Sequence, residues 1–284
     1  MQQLCDKVYI EHTYPGVTVG AILGDCSLVL IDAPLRPEDG RQWKHSTSGL
    51  YSGKERLIVA LNGHPDRTLG IKNLDAQVVG HERLMRVYDH RTQIFKPPPV
   101  ESGSDWERFG NLGTMRWNPP DVTFSKSLTV HCGNFTVELE HHPGPTGCTI
   151  WAVLRQQKIL FVGDTVTTKQ PPFLSSANFP QWIASLDHIL SEYADYTLVG
   201  GRHGLVTIEE VAEMRDFLDT VQTGIKGMPK VVRAEDINRL AADYLKRYNV
   251  TDEFQSLYLR RLTYGLQQCA QRATLKPGMD FDDV

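Results

Sequence analysis

Four short strings place ionisable or amide side chains directly after apolar, strand-like runs. Asn62-Gly63-His64-Pro65-Asp66-Arg67 follows the run Arg56 to Leu61, and His141-His142-Pro143-Gly144 follows a run ending at Glu140. Asp164 follows Phe161-Val162-Gly163, and His203 follows Leu198-Val199-Gly200-Gly201. Imidazoles and carboxylates are the groups that hold cations and move protons near neutral pH. Loops at strand ends are where layered α/β proteins build ligand sites, because the scaffold beneath them is rigid. The neighbouring glycines let the backbone come close to a ligand. Each string taken singly is also an ordinary hydrogen-bonded loop. His141 and His142 would point to opposite faces of an extended segment, so at most one of them faces a shared site.

The elements that must position these groups are strands first and helices later. Strands are predicted at 17–23 and 27–32, joined by a Gly24-Asp25 turn, and at 56–61 and 76–80. Further strands are predicted at 127–130, 135–140, 149–154, 158–162 and 196–199. Pro34 and Pro37 open a polar stretch that runs to about Gly53, and Gly70 to Leu74 starts a helix. Residues 81–120, with Pro97-Pro98-Pro99 and Pro119-Pro120, read as an irregular surface insertion or lid-like excursion, whose Trp106 and Trp117 pack on local aromatics or, with the proline run, line a substrate cleft. Helical spacing links Trp182, Leu186, Ile189 and Leu190, and again Val211, Met214, Leu218 and Val221. Residues 234–248 and 253–272 read as helices, with Arg260 and Arg261 on a solvated face. The expectation is a layered α/β domain with two sheets over 1–225 and a helical C-terminal extension over 226–284.

Composition narrows the function classes. Thirty Lys and Arg against 34 Asp and Glu give a net charge of −4, without the basic excess that a phosphate-neutralising nucleic-acid binder carries. Apolar runs such as Leu28 to Ile31 are far shorter than a membrane span. Residues 1–20 lack the apolar stretch of a secretory signal. The five cysteines (Cys5, Cys26, Cys132, Cys148 and Cys269) form no C-x-x-C pair. A reduced, cytoplasmic protein that acts on a small molecule, with neither a nucleic-acid nor a membrane partner, is the expectation.

The order of the strings resembles the metallo-β-lactamase fold superfamily over roughly residues 15–220. Val29-Leu30-Ile31-Asp32 looks like that family's strand ending in Asp. Asn62-Gly63-His64-Pro65-Asp66-Arg67 resembles its His-x-His-x-Asp-His motif, and His142-Pro143-Gly144-Pro145-Thr146-Gly147 its Pro-Gly-His-Thr turn. Gly163-Asp164-Thr165 resembles its Gly-Asp mark, and Gly201-Arg202-His203-Gly204 its late Gly-His-Gly loop. Five marks in order are far more specific than any one of them. The resemblance implies an αββα sandwich with a metal site at one edge, between the sheets.

The departures from that pattern carry as much information. Asn62, Arg67 and Pro145 stand where metal-binding histidines would be, so only His64 remains of the first metal's ligands, too few for a zinc site. Asp66, Asp164 and His203 remain for the second, with His142 as a further candidate ligand. What the resemblance implies is then a hydrolase with one divalent metal, zinc first and iron or manganese as alternatives, acting on an ester, lactone, thioester or similar bond. Asp66 would be ligand and proton acceptor, and His64 the general base. Arg67 and Asn62 would contact the substrate. The string also resembles the single-zinc subclass of true metallo-β-lactamases, although β-lactam hydrolysis does not carry over. The alternative is a metal-free pseudoenzyme with a retained ligand or partner pocket, in which Arg67 compensates Asp66 and Asp164. The C-terminal helices are free to cover the cleft or to pair two copies as a homodimer.

Overall fold

The computed structural model describes residues 1–284 except 26, 52, 54, 111, 229–231 and 275–284. Seven strands form the first sheet in sequence order: β1 (Gln2–Cys5), β2 (Val8–Glu11), β3 (Val19–Leu23), β4 (Leu28–Ile31), β5 (Arg56–Val59), β6 (Gln77–His81) and β7 (Val122–Phe124). β1 to β4 pair antiparallel, whereas β4 to β7 pair parallel. The parallel half needs crossovers. They are α1 (Pro37–Leu50), a loop carrying the single turn α2 (Pro65–Thr68), and a long excursion that begins with α3 (Glu82–Asp89). The second sheet holds β8 (Ser127–His131), β9 (Thr136–His141), β10 (Ile150–Leu154), β11 (Ile159–Gly163), β12 (Thr197–Gly200) and β13 (Leu205–Val206), again as sequence neighbours. Its one parallel pair, β11 with β12, is bridged by α4 (Phe179–Glu192). The chain continues with α5 (Ile208–Lys226), α6 (Ala234–Leu245) and α7 (Asp252–Thr274).

Three apolar clusters define four layers. Between the sheets, Ile10, Ile22, Val29 and Val59 meet Val137, Ala152, Phe161 and Val199. The outer face of the first sheet packs on Trp43 of α1 and on Phe95, Trp106 and Trp117 of the excursion. The outer face of the second sheet packs on α4 to α7. This is the αββα sandwich expected from the sequence. β3, β4, β10 and β11 are buried at every residue, as their unbroken apolar runs require.

Besides the short strands β1, β2, β7 and β13, which were not expected, the structure departs from expectation in three places. The polar stretch before Gly53 forms α1, started by Pro37 at its first turn and a double Arg36–Asp39 ion pair, and fastened by buried Trp43. The 81–120 excursion is more ordered than expected. It contains α3, capped by the His81 side chain, and a 3₁₀ turn at Asp105–Arg108, and Tyr88, Phe95, Trp106 and Trp117 are buried. The C-terminal helices share one core with the second sheet, since Leu257, Leu262 and Leu266 cluster with Trp151 and Leu160. Among the described residues no helix is long and apolar enough to cross a membrane.

Candidate functional site

Three of the four strand-end strings, joined by Asp32, converge at the carboxyl ends of β4, β5, β11 and β12. Backbone bonds pin them: Ile150 N donates to Leu61 O (2.8 Å), Gly201 N to Gly163 O (2.7 Å), and Thr18 N to Gly201 O (2.7 Å). The approach is so close that a Cβ on Gly201 would lie 2.6 Å from Arg67 Nη2 and 2.8 Å from Asp164 Oδ1. Two non-glycine residues here hold left-handed backbone, Asp32 at φ 54° and His203 at φ 65°. Asp and His tolerate that region better than most, but it still costs about 1 kcal/mol or more, and such strain clusters at functional sites.

At the centre is a buried ion network of four carboxylates and three guanidiniums. Arg67, fully buried, spans Asp32 and Asp164 through short charge-assisted hydrogen bonds. Arg202, 1% exposed, donates from Nε to Asp164 Oδ1 (3.2 Å) and from Nη1 to Asp66 Oδ2 (3.0 Å) and Asp105 Oδ2 (2.9 Å). Arg261, from α7, donates to Asp105 Oδ2 (3.2 Å), Gly103 O (2.8 Å) and Pro171 O (3.1 Å). The Phe173 ring lies under two of these cations, 4.7 Å from Arg202 and 4.0 Å from Arg261, and against His64 at 4.2 Å.

Charge states follow from this packing. Burial works to raise the Asp164 carboxyl, but Arg67 and Arg202 outweigh it and hold it well below the usual carboxylate range. Burial pushes Asp32 up to about 6, with Arg67 only partly offsetting it. Burial, followed by the Arg202 charge, keeps His64 neutral. Its Nδ1 accepts from Asp66 N (3.2 Å), which places the ring proton on Nε2.

The expected site residues fare unequally. Asp66 and Asp164 do come together, but around Arg202. Asp66 Oδ1 accepts from Trp106 N (2.8 Å), and Oδ2 accepts from Asp105 N (3.2 Å) in addition to Arg202. His203 turns to Gln170, its Nε2 lying 2.8 Å from the amide nitrogen, and so its lone pair is engaged. His142 is elsewhere, stacked on Trp151 at 3.6 Å and bonded to Glu140 (3.1 Å). His141 stacks on His81 at 3.7 Å. His142, the further candidate ligand, is thus held away from Asp66 and Asp164 by its own ring stack. Asn62 and Arg67 were expected to touch substrate. Both are fully buried: Asn62 donates to Asp164 Oδ2 (3.1 Å) and accepts from His64 N (2.9 Å), and Arg67 is consumed by its two acids.

Arg202, Asp105 and Arg261 are the components that sequence reasoning missed. Arg202 stands inside the Gly201-Arg202-His203-Gly204 string, and its unusual cation beside a ligand position was the available signal. Asp105 carried none. Arg261 was placed on a solvated face and is instead fully buried.

The residues present do not fit the divalent metal that the resemblance implies. Among the described residues no group of three or more His, Cys, Asp or Glu could hold one. The oxygens that would coordinate it accept from Arg67 and Arg202, which stay charged at any relevant pH, from the Asn62 amide and from backbone N–H groups. The network's buried polar atoms without a hydrogen-bond partner, Arg67 Nε and Arg202 Nη2, are donors and so disfavour a cation.

Beside the network a cavity of about 580 Å³ opens, with His64, Phe173, Trp106, Trp117 and Cys148 on its wall. That is the size of a small-molecule site.

Comparisons with known proteins agree with this architecture. No curated protein matches by sequence. A metallo-beta-lactamase from Pontibacter korlensis has a similar structure, with TM-score 0.62 and 18% identity over 77% of this chain and 97% of that one. The sec-alkylsulfatase Pisa1 from Pseudomonas sp. superposes with TM-score 0.66 and 15% identity over 95% of this chain, which spans 49% of it. The second match therefore takes in the C-terminal helices as well. At these identities the likeness is one of fold. A model of the metallo-beta-lactamase superfamily matches residues 28–202, more than half of the sequence, and the chain belongs to that superfamily.

Proposed function

We propose that this chain is a metal-free member of its superfamily, in which buried arginines neutralise the inherited acids and the adjoining cavity binds a small molecule. One observation carries the reading: Arg202 sits among Asp66, Asp105 and Asp164, where a cation would have to displace it from three carboxylates. Uncompensated, those acids would repel and be driven toward protonation. Arg67 and Arg202 remove that repulsion permanently and without an exogenous ion. No reaction step is assigned to His64. Its neutral ring lines the cavity, and Asp66, which was to share the proton transfer, is locked by two backbone N–H groups and Arg202.

The rival reading is a single-metal hydrolase of esters, lactones or thioesters that uses Asp66, Asp164 and His203. Its support is family membership and the enzymes named among the similar structures. Elemental analysis separates the two. Protein dialysed against Zn, Fe or Mn and then desalted should retain well under one equivalent per chain. Retention of about one equivalent, lost on Asp66→Ala, would overturn the proposal in favour of the hydrolase.

A further inference from the structure

The cavity beside the network has an aromatic wall with two uncommitted polar groups set into it. Trp117, Phe95 and Trp106 form a continuous run, with ring centroids 5.5 and 5.1 Å apart and edge-to-face angles of 80°. All three are buried, and Trp106 N donates to Asp66 Oδ1 (2.8 Å), so the run is fixed before any ligand arrives. The first polar group is His64 Nε2. Nδ1 accepts from Asp66 N (3.2 Å), so Nε2 carries the ring proton, and among the described residues it has no hydrogen-bond partner. The second is Ser104 Oγ, on a residue 2% exposed. Ser102 Oγ has a single proton and gives it to Glu107 Oε1 (2.8 Å), a carboxylate oxygen that only accepts. The proton in the 2.7 Å contact between Ser102 Oγ and Ser104 Oγ is therefore donated by Ser104. Ser104 Oγ is left with a lone pair to offer and no proton. Both groups line the cavity, and a short chain of bonds joins them: Asp105 N donates to Asp66 Oδ2 (3.2 Å), and Asp66 N to His64. Counter-charge is lacking on this wall. No Asp or Glu is among the described lining residues, Lys96 and His90 are exposed, and Arg91 is engaged by Gly63 O (2.8 Å) and the Trp117 ring (4.1 Å). An ion moved against the aromatic run would lose its hydration without a buried partner to replace it.

We propose that the cavity takes a neutral aromatic amide, with its ring on the Phe95, Trp106 and Trp117 run, its carbonyl oxygen on His64 Nε2–H and its N–H on Ser104 Oγ. Flat rings supply apolar area at little entropic cost and stack on one another. An amide presents an acceptor and a donor side by side, which are the complements of the two groups in the wall. A ketone of the same shape meets His64 and leaves Ser104 unpaired, and a site built around a hydrogen bond rejects the analogue that lacks it. A carboxylate has no proton for Ser104 and adds the cost of burying a charge. The assignment rests on the small-molecule reading of the cavity.

The test is calorimetric titration of the full chain with naphthalene-2-carboxamide, 2-acetylnaphthalene and naphthalene-2-carboxylate. The amide is expected to bind about tenfold more tightly than the ketone, and the carboxylate most weakly. Ser104→Ala, which leaves the Ser102–Glu107 bond in place, should cost the amide about tenfold and move the ketone by no more than about twofold. His64→Asn, whose side-chain oxygen can still cap α2 but which lacks the reach of the ring, should weaken amide and ketone alike. Equal affinities for amide and ketone, a preference for the carboxylate, equal losses of both neutral probes in Ser104→Ala, or no heat from any probe would overturn the proposal. Titrations repeated with added zinc and with a chelator separate this result from the metal question. Stoichiometric zinc uptake refutes the metal-free reading whatever the probes do, and loss of the amide preference refutes the ligand class in protein that holds no metal.

Discussion

Replacing Arg202 with methionine tests the ion network directly. Methionine keeps much of the stem's volume and removes the charge. Three charge-assisted hydrogen bonds, at 2.9, 3.0 and 3.2 Å, are lost at a position 1% exposed. At roughly 1.5–3 kcal/mol each, their sum would be an upper bound. Every stranded acid keeps other partners: Asp164 keeps Arg67 and Asn62, Asp66 keeps two backbone N–H groups, and Asp105 keeps Arg261. The expected loss is therefore about 3–5 kcal/mol at neutral pH, the range for removing one partner of a buried pair. That is a large share of a typical domain's stability. The pH dependence has a definite sign. In the native protein the folded-state value of Asp164 lies below its ordinary 3.8, so its stabilisation is present above that range and is lost as pH falls through the lower folded value. Without Arg202, burial gains ground and the folded-state value of Asp164 moves up. The variant then regains stability as pH falls, because the folded form takes up protons more readily than the unfolded chain. Urea unfolding of both proteins near pH 7.5 and near pH 5 should show the gap narrowing in acid, with the denaturant slope unchanged. A loss below about 1 kcal/mol, or a gap that widens toward acid, would refute the view that Arg202 neutralises these carboxylates.

Two further outcomes follow from the same structure. Arg261→Ala removes hydrogen bonds to Gly103 O, Pro171 O and Asp105, and should cost about 2–4 kcal/mol. Hydrogen exchange should quicken first in α7 and in the Gly103 to Trp106 segment, while the first sheet stays protected; uniform loss of protection would count against a local lock. Thr207→Ala breaks the capping box at the start of α5, in which Thr207 and Glu210 satisfy each other's backbone N–H groups. It should cost about 1 kcal/mol in chemical denaturation.

Much of the scaffold is legible in the sequence, and each miss has a physical cause. β4, β5, β10 and β11 announce themselves because strands covered on both sides must be continuously apolar. α1 hides because its fourteen residues bury few apolar side chains, chiefly Trp43, among charged and polar ones. β1 is an edge strand opening with Gln2-Gln3 and has no apolar alternation to betray it. The excursion's order comes from Phe95, Trp106 and Trp117 finding one another across more than twenty residues, which no local period records.

By itself the sequence determined the layered fold, the meeting of strand-end loops at one edge, and the loss of the histidines that the first metal position needs. Those properties reside in residue types and their order: apolar runs must be covered, and a ligand that is not encoded cannot be supplied. Only the tertiary structure decided what Asp66, Asp105 and Asp164 pair with. A guanidinium reaches several ångströms from its backbone and can pair with any acid in range, so whether Arg67, Arg202 and Arg261 face solvent, a substrate or a buried carboxylate depends on packing between residues 35 to 156 positions apart.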